Sequence, residues 1–159
     1  MKAAMVSLAL LAAIASACGA AATSQASRAN GPAVVPLASV QSQVAGHPVV
    51  FLFTAPGCAS CAAEARALAA SAGGRPGIKL VGVDLSNDNP ATFAAYITAL
   101  GLADSPFIWT IDQDGSFARR YGIVSLSSTV FIDADGEVRF INAGPQDDKT
   151  LSNQLSQLA

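Results

Sequence analysis

Val49-Val50-Phe51-Leu52-Phe53-Thr54-Ala55-Pro56-Gly57-Cys58-Ala59-Ser60-Cys61-Ala62-Ala63-Glu64 is the stretch on which the reading of this chain turns. Its first five residues form an unbroken β-prone apolar run, the pattern of a strand buried on both faces. Pro56-Gly57 stops that strand. From Cys58 to Ala70 the residues are mainly Ala, Leu, Glu and Arg, which predicts a helix. Gly73-Gly74 and Pro76-Gly77 close it. Two cysteines with two residues between them therefore fall where a buried strand hands over to a helix. The first sits at the helix N-terminus, where unpaired N–H groups and the positive end of the dipole favour a thiolate. Only a thiolate attacks a disulfide. The second lies one turn further on, within reach of the first, and can resolve the mixed disulfide that such an attack leaves.

Blander chemistry has to be weighed for the same pair. Half a zinc site needs a second half, and only Cys18 and His47 remain as thiol or imidazole donors, so no metal is expected. A purely structural disulfide at this spacing closes too small a loop to constrain the unfolded chain much, which leaves redox exchange as the better explanation.

On the N-terminal side of the strand, Leu37 to Val44 predicts a short helix with Leu37, Val40 and Val44 on one face, broken by Gly46-His47-Pro48. His47 reads as a structural turn residue. On the C-terminal side, Ile78 to Leu85 predicts a second buried strand, and Pro90 to Leu100 a helix with Phe93, Ile97 and Leu100 on one stripe. Phe107 to Ile111 is a short strand whose Trp109 belongs in the core. Ser116 to Tyr121 has room for one or two helical turns. Thr129 to Ile132 and Glu137 to Ile141 are strands joined by the hairpin signal Asp133-Ala134-Asp135-Gly136, and Gln146 to Leu158 is a closing helix. The order implies an α/β fold with a mixed central sheet flanked by helices on both faces.

Met1-Lys2 followed by the apolar run Ala3 to Ala17 suits the hydrophobic region of a signal peptide and is short for a membrane span. The run ends Ala15-Ser16-Ala17-Cys18, which resembles a bacterial lipobox with Ala15 where Leu is usual. Two outcomes stay open: lipidation of Cys18, or ordinary cleavage nearby that leaves a soluble secreted protein. The division expected is a signal peptide over 1–17, a lipidated Cys18 and flexible tether over 18–33, and a folded domain over 34–159. The small, polar, Pro- and Gly-punctuated stretch Ala20 to Pro36 supplies the tether. Such a domain works in the cell envelope, outside the cytoplasm, where disulfides persist.

Of the 159 residues, 52% are hydrophobic and 13% charged, which excludes a disordered charged tail as the main content. Nine Lys and Arg stand against eleven Asp and Glu with no basic run, so nucleic acid is not an expected partner.

Taken together these features resemble the thioredoxin-like superfamily, and within it the extracytoplasmic TlpA/ResA-type disulfide reductases. Carrying the resemblance are V-V-F-L-F-T-A-P-G-C-A-S-C-A-A-E, V-G-V-D-L with the helix after it, and Y-G-I-V-S-L-S-S-T-V-F-I-D-A-D-G-E-V. It implies a thioredoxin-like fold without a cofactor, with Cys58 attacking and Cys61 resolving. It also implies a substrate-docking loop at Leu126, Ser127, Ser128 and Thr129. Glu64 matches the acid three residues after the second cysteine and could relay protons, although a Glu in a first helical turn is more often solvated and favoured by the dipole. A carboxylate there would also raise the Cys58 thiol pKa, against the helix effect.

The sequence departs from the family at three positions. Gly57 stands where Trp is usual, and Leu52 where many thioredoxins bury an acid. Ser127 stands where the family has a cis-proline; a cis bond before a non-proline residue costs about 2.5–4 kcal/mol, so Leu126-Ser127 is expected to be trans. Ser127 or Ser128 could hydrogen-bond the Cys58 thiolate, or both could be simple loop serines.

The leading functional expectation is a thiol–disulfide oxidoreductase. No histidine lies between the cysteines, which points to a reductant or mild exchanger. Expected partners are protein thiols and disulfides, such as those of cytochrome assembly or other exported proteins, with a membrane electron donor and a membrane reached through the lipid anchor. Two alternatives stand beside it. One is a redox-inactive copper-handling module, suggested by the missing proline. The other is a peroxiredoxin-like peroxidase, disfavoured because Thr54 lies four residues before Cys58 where that family has three.

Overall fold

The structure, a computed structural model, describes residues 31–158. The expected signal peptide over 1–17, Cys18 and the expected tether up to residue 30 lie outside the described residues. The elements run β1 (Val34–Val35), α1 (Leu37–Val44), β2 (Val49–Thr54), α2 (Ala59–Ala72), β3 (Lys79–Asp84), α3 (Pro90–Ala99), β4 (Phe107–Ile111), α4 (Ser116–Arg120), β5 (Ser128–Ile132), β6 (Val138–Asn142) and α5 (Asp148–Ser156).

One six-stranded sheet has the order β1-β4-β3-β2-β5-β6. β1, β4, β3 and β2 run parallel, and β5 joins β2 antiparallel and pairs β6 as a hairpin. The mixed sheet is thus as the sequence predicts, and the fold is thioredoxin-like. β2 lies between a parallel neighbour on one side and an antiparallel one on the other. A ligand in such a sheet sits at the carboxyl ends of the strands near a reversal of this kind, which is where Cys58 follows β2.

Alternation along β2 builds two cores. Val50 and Leu52 face a cluster with Ala65 and Leu68 of α2, Phe93 and Ile97 of α3, and Leu151 and Leu155 of α5. Val49, Phe51 and Phe53 face the other side, with Val40 of α1 and Phe117 of α4. Helices therefore cover both faces. Every residue of β2 is buried, and a fully buried Leu or Phe removes about 1.5–3 kcal/mol of exposed apolar surface cost each. Leu52, the position of the missing acid, is one of them.

Three features differ from expectation. Val34 and Val35 open the domain expected over 34–159, but as a strand not expected inside the Pro- and Gly-punctuated stretch, pairing in parallel with Trp109 and Thr110. Two residues are too few to show a strand period. α2 starts at Ala59, because Cys58 is extended (φ −80°, ψ 96°) and caps the helix. α5 starts at Asp148, two residues later than Gln146, because Asp147 caps it and the Gln146 N–H is drawn away to Glu64.

Candidate active site

The site begins where β2 ends. Gly57 adopts φ +84°, a left-handed backbone that glycine takes without a Cβ penalty. This is a local reason for glycine where the resembled family has Trp. The turn closes with Cys58 N–H donating to Ala55 O at 3.1 Å. Cys58 then caps α2: its Sγ accepts the Cys61 N–H at 3.2 Å and lies 3.4 Å from the Ser60 hydroxyl. Its carbonyl accepts the Ala62 N–H at 3.2 Å.

Cys58 and Cys61 are joined in a disulfide, with Cα atoms 5.3 Å apart. The two sulfurs are not equivalent. Cys58 is half-buried at the helix tip, whereas Cys61 is 1% exposed. The Cys61 Sγ lies 3.8 Å from Phe53 O. One sulfur can be met from outside and the other reached only through the first.

The segment leading into β5 divides in two. Val124 is 96% exposed and Leu126 39% exposed. Ser127, Ser128 and Thr129 are buried; Thr129 lies in β5 as the strand reading expects, and Ser128 opens that strand one residue earlier, so neither belongs to the docking loop that the resemblance implies. No cis peptide occurs among the described residues, so Leu126-Ser127 is trans, as the cost of a non-proline cis bond implies. Ser127 sits at φ +61°, and its N–H donates to Phe53 O at 2.9 Å. Its hydroxyl is buried with no hydrogen-bond partner. The Ser128 hydroxyl donates to Ser125 O at 2.8 Å. The Thr129 hydroxyl accepts from Asn142 Nδ2 at 3.1 Å, in a network completed by Gln154.

Glu64 corrects the reading that places it in solvent. It is 1% exposed, on the same buried face of α2 as Cys61, Ala65 and Leu68. Its Oε2 accepts the Gln146 N–H at 3.0 Å, and its Oε1 is buried without a partner. Burial pushes the carboxyl above its ordinary 4.5, and the Gln146 N–H offsets part of that.

Sequence reasoning misses Tyr96. Its hydroxyl lies 3.5 Å from the Cys58 carbonyl, which it can bond from α3. Burial lifts its pKa, with the Thr54 hydroxyl and the Arg66 guanidinium acting the other way. Arg66 also donates to Leu100 O at 2.8 Å, fastening α2 to the end of α3. A hydroxyl one turn after Phe93 on an otherwise apolar stripe is the signal that could have drawn notice. His47 is exposed, with its N–H donating to Val44 O, and Trp109 is buried in the core as expected. Among the described residues no group of three or more His, Cys, Asp or Glu is placed to hold a metal ion.

The Redoxin family model matches residues 21–158. Among solved structures, dsbF of Mycobacterium tuberculosis, in its mixed oxidised and reduced forms, aligns with a TM-score of 0.62 at 25% identity, covering 74% of this chain and 85% of that one. A secreted Mycobacterium tuberculosis disulfide oxidoreductase homologous to Escherichia coli DsbE gives 0.60 at 26% identity, with coverages of 74% and 86%. StoA from Bacillus subtilis gives 0.57 at 22% identity, with coverages of 70% and 84%, a likeness of fold. No curated protein matches the chain.

Proposed function

The chain belongs to the Redoxin family, and from that premise we propose that it is an extracytoplasmic thiol–disulfide oxidoreductase working as a reductant or mild exchanger. The observation that carries this reading is the unequal exposure of the two sulfurs, with the accessible one at the tip of α2. In the reduced protein the Cys58 thiolate, favoured by the helix N-terminus and the Cys61 N–H, attacks a partner disulfide. One partner thiol leaves and a mixed disulfide forms on Cys58. Cys61 then attacks Cys58, the second partner thiol leaves, and the observed disulfide is restored. A membrane electron donor returns it to the dithiol.

Glu64 acts as the proton relay in this scheme. Its carboxyl shares the buried face of α2 with Cys61 and is biased toward its protonated form. The exposed Leu126 docks the partner chain. An exported location fits the secreted Mycobacterium tuberculosis relative, and among the described residues no helix is long and apolar enough to cross a membrane. Lipidation of Cys18 would hold the domain at the envelope.

Insulin reduction with a thiol regenerant tests the activity. Wild type should accelerate it, Cys58→Ala should abolish the acceleration, and Cys61→Ala should accumulate mixed disulfides. A wild type with an intact dithiol that shows no acceleration and forms no mixed disulfide refutes the proposal. A reduction potential near about −270 mV marks a reductant, and one near about −120 mV an oxidant.

A further inference from the structure

Resolution of the mixed disulfide makes a demand that the oxidised site leaves unmet. To attack Cys58, Cys61 must pass through a thiolate while nearly sealed from water. The polar atom against its sulfur is the Phe53 carbonyl oxygen, at 3.8 Å. That oxygen can accept from a thiol but repels a thiolate. A buried anion without a donor is costly, so this step needs a hydrogen-bond donor from inside the protein.

Ser127 meets the need. Its own N–H bonds the same Phe53 oxygen at 2.9 Å, so Ser127 and the Cys61 sulfur converge on one acceptor. The backbone is held at φ +61°, a conformation that a side chain other than Gly, Asn or Asp rarely takes. The residue is 1% exposed, and its hydroxyl has no partner while the disulfide is closed. We propose that the Ser127 hydroxyl donates a hydrogen bond to the Cys61 sulfur during resolution, making Ser127 a residue of the second exchange step and not of the first. This rests on the oxidoreductase reading.

The step balances without a further reagent. The Cys61 thiol releases its proton to the Glu64 carboxylate, on the same buried face of α2. The thiolate pair forms the Cys58–Cys61 bond as the bond from Cys58 to the partner sulfur breaks. The departing partner thiolate takes up a proton. Ser127 keeps its own proton throughout. The oxidant is the partner disulfide.

The test uses the reduced full chain and glutathione disulfide, with acid-quenched mass spectrometry to time the glutathione adduct on Cys58. Iodoacetamide alkylation of Cys58 reports the first step. Two variants lack the hydroxyl: Ser127→Ala, which keeps a Cβ at positive φ, and Ser127→Gly, which relieves it and decides the matter if the alanine variant fails to fold. The titratable groups on the surrounding elements, Glu64 on α2, Tyr96 on α3 and Asp84 at the end of β3, are unchanged in both. The expected result is an adduct lifetime lengthened about tenfold in both variants, with Cys58 alkylation at the wild-type rate. Adduct lifetimes equal to wild type, slowing confined to the alanine variant, or an equal loss in both steps each overturns the assignment. A wild type that forms no adduct sinks the oxidoreductase reading and this one with it.

Discussion

Glu64 shows how a single side chain can be misjudged for a sound reason. A carboxylate in the first turns of a helix is favoured by the dipole, and that argument leaves it in water. The spacing argued otherwise, since Cys61, Glu64, Ala65, Leu68 and Ala72 fall on one helical stripe and all are buried. Burial holds its carboxyl above the ordinary 4.5, so the folded chain keeps a proton that the unfolded chain releases. The stability linked to that proton is fully present below the unfolded value and is lost as pH rises through the folded one. Glu64→Gln removes the titration and keeps an acceptor for the Gln146 N–H. Denaturant unfolding of the two proteins should therefore show the variant gaining on wild type as pH rises above the ordinary carboxyl value of 4.5. A gap that stays flat as pH rises would mean that the carboxyl ionises as freely folded as unfolded. Ser127 is a different case: the trans bond was legible from its cost, but its burial and positive φ depend on where β2 places the Phe53 carbonyl, and no local pattern reports that.

Among the elements, the strands and long helices were legible because apolar runs and Pro or Gly punctuation mark them directly. The pairing of β1 and the hand-over of Gln146 from α5 to Glu64 were not, since each depends on a partner far along the chain. α4 illustrates the limit well. Its five residues are expected from the sequence, but its N-cap residue Gly115 brings no side-chain bond. Asp112, which no sequence motif singles out, is buried and reaches over it. Its two oxygens accept the Phe117 and Ala118 N–H groups at 3.2 and 2.8 Å. Asp112→Ala should cost about 1.5–3 kcal/mol in denaturant unfolding, with Asp112→Asn recovering part of it because one acceptor oxygen survives. An alanine variant as stable as wild type would show that α4 is held by its Phe117 packing alone.

For the molecule as a whole, the sheet has to be thin at one point to hold its largest side chain. Gly82 of β3 is paired with Trp109 of β4, and a Cβ at Gly82 would overlap the indole ring. The ring also stacks on Phe107 and meets Phe93 edge-on, so it has little freedom to yield. Gly82→Ala should lower stability by about 1–3 kcal/mol with the disulfide chemistry intact whenever the protein is folded. Unchanged thermal unfolding would mean that the indole can swing aside. The two-sided architecture was readable from the order of elements, and the glycine was not, because its necessity comes from a residue 27 positions away.

Gly57 carries a last consequence. Its backbone turns through positive φ, and the space beside its α-carbon is empty. The rim next to the accessible sulfur is therefore bare main chain, with no ring for an incoming peptide to lie against. In the proposed exchange reaction, a partner chain would meet only main-chain atoms at that position.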